Sequence, residues 1–122
     1  LIPFVSEERS QIIGSVIYID NYGNVITNIK RKFFEDVQKT RDYEISARSY
    51  KFKKIYDKYS DAINFDIPEE KRYDEGKRLV VFNSSGYLEI AVYKSDNATV
   101  GSASTLMGLK VMDTVTVNFA KI

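Results

Sequence analysis

Residues 12–19, Ile-Ile-Gly-Ser-Val-Ile-Tyr-Ile, form a β-branched run that stops at Asp20-Asn21-Tyr22-Gly23-Asn24 and resumes from Val25 to Ile29. β-Branched side chains are restricted in a helix and pack well on a pleated surface. The stretch therefore predicts a strand, a turn in which Gly23 accepts positive φ, and a returning strand. Both runs are apolar at nearly every position and not merely at alternate ones. Such strands need cover on both faces, which favours a closed or covered sheet over an open one.

The rest of the chain fits that plan. Phe33, Phe34 and Val37 are spaced for one face of a short helix, and Tyr43 to Tyr56 reads as a strand in which Tyr50 and Phe52 alternate with Lys51 and Lys53. Residues 64–78, with Pro68 among many charges, read as a solvated excursion. Arg78 to Phe82 is another apolar run, Asn83-Ser84-Ser85-Gly86 a turn, and Leu88, Ile90 and Val92 alternate with Glu89 and Ala91 to place one face inward. Ser102 to Met107 predicts a short helix closed by Gly108 in the left-handed position, and Thr114 to Phe119 a last strand burying Val115, Val117 and Phe119. The expected fold is mainly β, a small antiparallel β-barrel or sandwich with one or two short helices.

Composition narrows the chemistry. A chain of 122 residues predicts one domain with a real core. With no Cys and no His, thiolate and imidazole chemistry are excluded, and with them the common triads and zinc sites. Lys and Arg number 18 against 17 Asp and Glu, a balance that lacks the strongly basic footprint of a nucleic-acid binder. No apolar stretch is long enough to cross a bilayer, and Leu1 to Ser10 lacks the regions of a secretory signal, so the expected location is cytoplasmic. The chain starts at Leu1-Ile2-Pro3, as though cut from a longer polypeptide. Residues 1–10 read as an interdomain linker remnant and 11–122 as the barrel domain.

Two polar turns interrupt the apolar strands. Tyr22-Gly23-Asn24 sets an aromatic ring beside a primary amide, whose donor and acceptor together match one edge of an adenine. Asn83-Ser84-Ser85-Gly86 lines up hydroxyls and backbone N–H groups suited to an anion such as a carboxylate. Each turn fits equally the plainer reading that its polar residues serve their own backbone. The basic-aromatic segment Arg48 to Lys58 resembles a single-strand-binding surface in its alternation of rings and cations, but it reads better as a sheet face with Lys heads in water. There is no glycine-rich phosphate loop and no serine nucleophile elbow. The pairs Glu7-Glu8 and Glu69-Glu70 read as solvated, and Asp20 and Asp113, which end apolar runs, are assigned no chemistry.

The stretch from Gly14 through Asp20-Asn21-Tyr22-Gly23-Asn24 to Thr27-Asn28-Ile29 resembles the opening of the C-terminal domain of the S-adenosylmethionine (SAM) hydroxide adenosyltransferases, relatives of the SAM-dependent fluorinase and chlorinase. Asn83-Ser84-Ser85-Gly86-Tyr87-Leu88-Glu89-Ile90-Ala91-Val92 matches next, then Asn97-Ala98 and Leu106-Met107-Gly108-Leu109, with Tyr59-Ser60-Asp61-Ala62 between. The resemblance implies that Asn24 hydrogen-bonds the adenine, Tyr59 stacks on it, and Tyr22 packs beside the ribose and sulfonium. It implies further that Ser84 and the loop amides near Ser85 hold the methionine carboxylate, and that Ala98 meets the adenine edge through its backbone. Ser85 stands where the halogenating enzymes carry Arg, which points to the water-using branch. Residues 64–74 form an insertion that makes Tyr73 a competitor of Tyr59. SAM is then the substrate, no cofactor is implied, and the water-positioning groups belong to an N-terminal domain absent from this chain, contributed by a neighbouring subunit of a homotrimer. The rival expectations are a single-stranded nucleic-acid-binding barrel and a structural oligomerisation module.

Overall fold

The computed structural model describes residues 2–57, 78–92 and 107–121, and its sheet divides at β2 (Gln11–Ile19). The first half of β2 pairs antiparallel with β8 (Thr114–Phe119), from Gln11 opposite Asn118 to Ser15 opposite Thr114, and on its other edge with the two-residue β1 (Phe4–Val5). Its second half returns through the 20–24 turn onto β3 (Val25–Lys30). Beyond β8 lie β4 (Tyr43–Ala47) and β5 (Tyr50–Phe52), and beyond β3 lie β7 (Tyr87–Val92) and β6 (Arg78–Phe82), giving the order β5-β4-β8-β2-β3-β7-β6.

The two ends of that order approach each other. Tyr56 bridges Val81, its N–H donating to the Val80 carbonyl at 2.8 Å, and the Arg78 guanidinium lies 4.9 Å from the Tyr50 ring centre. The result is a mainly β, nearly closed antiparallel barrel, the architecture that two-sided apolar strands require.

Val16, Val25, Ile29, Ile45, Leu88, Ile90, Val115 and Val117 fill the interior as one cluster. The helix α1 (Arg31–Gln38) closes one end, because Phe34 and Val37 lie on the same side of it. The Phe34 ring meets Tyr43, Phe82 and Phe119 with centroids 5.2, 5.6 and 5.5 Å away. Gly14 makes a close approach: a Cβ there would stand 2.6 Å from Ile29 Cγ1 and 2.8 Å from Asn28 Oδ1.

Two expectations change. Tyr43 to Tyr56 is not one strand, since the chain reverses between Ala47 and Tyr50 with Arg48 at φ 54°, a left-handed turn without glycine or asparagine to announce it. On β7 the second face is covered too, with Glu89 and Ala91 only 5% and 1% exposed. Gly108 has the positive φ of a left-handed cap, 67°. The helix expected over Ser102 to Met107, apart from Met107, and the excursion over residues 64–77 lie outside the described residues. No helix among the described residues is long and apolar enough to cross a membrane.

Candidate functional site

The first polar turn is built around Asp20. Its Oδ1 accepts the backbone N–H groups of Tyr22 and Asn24, both at 2.9 Å, and its carbonyl accepts the N–H of Gly23 at 2.9 Å. Gly23 carries φ 78°, a conformation that disfavours a side chain. The Asn24 side chain donates from Nδ2 to Asp20 Oδ2 at 3.2 Å, while its Oδ1 has no partner among the described residues. Tyr22 is 73% exposed, leaving its ring free to cover a ligand. Asp20, which sequence reasoning left without a role, therefore orients the amide that the resemblance singles out.

The second turn joins β6 to β7. Asn83 organises it: Oδ1 accepts the N–H groups of Ser85 and Tyr87 at 3.0 Å each, and its carbonyl accepts that of Gly86 at 2.9 Å. Its amide Nδ2 also donates to the Glu89 carboxylate at 3.2 Å. The Ser85 and Gly86 amides are thus engaged inside the turn. What the turn presents outward is the pair of hydroxyls of Ser84 and Ser85, both residues exposed.

β3 connects the two turns. Asn24 precedes its first residue, and Gly86 accepts the N–H of Arg31, just past its last residue, at 2.8 Å. The ladder sets Val25 opposite Ile90 and Lys30 opposite Tyr87, so the ends of β3 are three residues apart along β7, roughly 10 Å at about 3.3 Å per residue. Tyr22 and Asn24 thus come together at one end of the barrel, Ser84 and Ser85 at the other, the end closed by α1. A ligand touching both pairs must lie lengthwise along β3. Val25 and Ile29 face the core, whereas Asn28 and Lys30 line a pocket of about 420 Å³ with Ile17, Phe33 and Tyr87.

β3 does not pair regularly with β7 along this length. The register shifts between Ile26 and Lys30, and the fully buried Thr27 fills the gap, donating from Oγ1 to the Leu88 carbonyl at 2.9 Å and accepting the Ile29 N–H at 3.2 Å. Asn28 Oδ1 accepts the Ser15 N–H at 2.9 Å. The Thr27-Asn28 pair is structural, holding the strand that separates the two turns.

Tyr59, Tyr73 and Ala98 lie outside the described residues. In the basic-aromatic segment, Tyr50 is covered by Arg78 and the Lys54 ammonium sits 4.9 Å from the Tyr56 ring centre, so these two rings already have cationic partners. Among the described residues no three carboxylates cluster to hold a metal ion.

No curated protein matches the chain. Among solved structures it is similar to an uncharacterized conserved protein from Thermotoga maritima, at 28% identity and TM-score 0.65, over 97% of this chain and 39% of that one. It shares its fold with a conserved hypothetical protein from Thermus thermophilus, at 22% identity and TM-score 0.51, over 88% of this chain and 34% of that one. The chain therefore spans well under half the length of either relative. The profile of the SAM hydroxide adenosyltransferase C-terminal domain matches residues 14–116, taking in both turns and the strand between them. By that match over most of its length, the chain belongs to the SAM hydroxide adenosyltransferase C-terminal domain family.

Proposed function

We propose that this domain binds the adenosine and methionine portions of SAM for an enzyme that hydrolyses SAM to adenosine and methionine. The observation that carries the proposal is the pairing of an oriented amide at one end of β3 with two outward hydroxyls at the other, within the span of the family match. In this reading SAM lies along β3. Asn24 hydrogen-bonds the adenine through its free Oδ1, Tyr22 packs beside the ribose, and the methionine end reaches Ser84 and Ser85. Tyr59 stacks on the base, and the Ala98 backbone meets its edge.

The reaction is displacement at the ribose C5′ by water or hydroxide. The new bond is C5′–O, the broken bond is C5′–S, the pair of electrons leaves with the neutral thioether of methionine, and where water is the nucleophile one of its protons is released to solvent. A sulfonium leaves readily, so catalysis rests on in-line positioning and on removing bulk water from the nucleophile. This domain supplies the positioning by fixing both ends of the substrate. The groups that orient the attacking water come from an N-terminal domain of a neighbouring subunit in a homotrimer. The chain alone then turns over little or no SAM and binds it weakly, because half of the buried contact is missing.

Titrating the isotopically labelled chain with adenosine, SAM and a short single-stranded oligonucleotide tests the proposal, since amide shifts register weak binding. Adenosine is expected to move the Tyr22 to Asn24 amides, and SAM to move these and the Ser84 to Gly86 amides. Silence at both turns with both ligands overturns the proposal and leaves an oligomerisation module. Oligonucleotide binding that falls steeply with salt, without a response to SAM, replaces it with a nucleic-acid-binding barrel.

A further inference from the structure

The hairpin that carries Ser84 and Ser85 stands on two aromatic residues, Phe82 at the end of β6 and Tyr87 at the start of β7. A cation lies over each. The Arg31 guanidinium is 4.7 Å from the Phe82 ring centre, and the Lys30 ammonium is 5.4 Å from that of Tyr87. The backbone holds the arrangement in place, because Lys30 is paired with Tyr87 in the ladder and the Arg31 N–H donates to the Gly86 carbonyl at 2.8 Å. Two consecutive residues thus straddle the turn and set a positive charge at each of its feet.

Neither cation has a carboxylate within ion-pair distance among the described residues. The ion pairs among the described residues are Arg48 with Asp113 and Lys51 with Glu44, so Lys30 and Arg31 have none there. The first turn of α1 contains no acid. Glu89, the nearest carboxylate on β7, is buried and receives the Asn83 amide. Adjacent exposed cations repel each other, and an anion between them relieves that repulsion.

From this geometry we infer that Lys30 and Arg31 are the charged partners of the substrate carboxylate, with Ser84 and Ser85 supplying neutral hydrogen bonds to the same group. The inference rests on the proposed SAM-binding role and adds to it the residues that recognise the amino-acid end. The pocket beside Lys30 gives the carboxylate an approach: Ile17, Phe33 and Tyr87 offer apolar walls to the methylene groups of the methionine portion, whose carboxylate reaches the ammonium. A serine hydroxyl both donates and accepts, so the amino group on the same carbon has an acceptor in the turn. A guanidinium beside a carboxylate forms two parallel hydrogen bonds, which assigns orientation to Arg31 and charge to Lys30.

The test compares SAM with adenosine and with the methyl ester of SAM, on the labelled chain and on its Arg31→Gln, Arg31→Lys and Lys30→Gln variants. Arg31→Gln and Lys30→Gln are each expected to weaken SAM about tenfold, to leave adenosine unchanged, and to have little effect on the ester, which has no carboxylate charge. Arg31→Lys is expected to recover part of the loss. Unaltered SAM affinity in both Gln variants, with the shifts at Tyr22 to Asn24 intact, overturns the inference and spares the SAM-binding role. Equal weakening of SAM and adenosine also overturns it, since that marks a disturbed barrel end. If the unaltered chain responds to neither SAM nor adenosine, both fall together.

Discussion

Asp20 and Asn24 are bound to each other three times: the Asp20 carboxylate receives the Asn24 backbone N–H at 2.9 Å and its side-chain amide at 3.2 Å, and the Asp20 N–H donates to the Asn24 carbonyl at 3.1 Å. This fixes which edge of the amide faces outward, since Nδ2 is turned to the carboxylate and Oδ1 is left to meet a donor. Asn24→Ala is expected to weaken adenosine binding by about 1 kcal/mol, roughly fivefold in Kd, the net worth of one hydrogen bond. Asp20→Ala releases the amide and is expected to cost about as much. The double variant should be little worse than either single one, because the two residues act as one unit. Additive losses in a calorimetric titration sink this account of Asp20.

Thr27 takes the place of a missing rung between β3 and β7. Replacing it by Val preserves shape but leaves the Leu88 carbonyl and the Ile29 N–H without their side-chain partner in a fully buried position. The expected loss is about 1–3 kcal/mol of folding stability. Urea denaturation should show a lowered midpoint with an unchanged slope, and Thr27→Ser should restore most of the difference. A Val variant as stable as the original shows that the two backbone groups find other partners.

The barrel was legible in the sequence because its strands announce themselves by β-branched composition, together with apolar residues on both faces in β2 or a regular alternation of buried and more exposed positions in β8. β8 illustrates this: Thr114 to Phe119 alternates cleanly, and Val115, Val117 and Phe119 are the buried members. The reversal at Arg48-Ser49 was not legible, because a turn with φ 54° at an arginine is selected by the pairing of β4 with β5 and by no residue preference. The candidate site, with Lys30 and Arg31 as its proposed charged members, was legible only by halves. Asn24, Ser84 and Ser85 stand in turns that polar residues mark, whereas Lys30 and Arg31 look like ordinary solvated charges until the ladder sets them beside Tyr87 and Gly86. Thr27 likewise reads as one more β-branched strand residue, since a register shift leaves no trace in composition.

Gly14 supplies a test of the packing behind β3. In sequence it interrupts a β-branched run for no local reason, and the cause is the Ile29 side chain lying where a Cβ would project. Gly14→Ala must displace Ile29, which is fully buried, and the Asn28 amide that receives the Ser15 N–H. The expected cost is about 1–3 kcal/mol of stability, as for other overpacked cores. Pairing it with Ile29→Val, which removes one methyl group from the crowded site, should recover part of that loss. Thermal unfolding of the single and double variants checks it, and no rescue means that the strain falls on the Asn28 amide.

In the proposed SAM-binding role, Tyr59 and Tyr73 are alternatives for a ring that stacks on adenine, and the two choices imply different placements of the proposed insertion over residues 64–74. Base stacking on an aromatic side chain is worth about 1–3 kcal/mol. Leu keeps an apolar surface but removes the π face, so Tyr59→Leu is expected to raise the adenosine Kd about fivefold to a hundredfold while leaving the melting temperature near its original value. Tyr73→Leu is expected to leave that Kd unchanged. The reverse outcome, with only the Tyr73 variant impaired, moves the stacking role to Tyr73 and the insertion to the segment before it. Equal and small effects from both would leave the exposed ring of Tyr22 as the aromatic surface for the base, with Asn24 two residues away to read its edge.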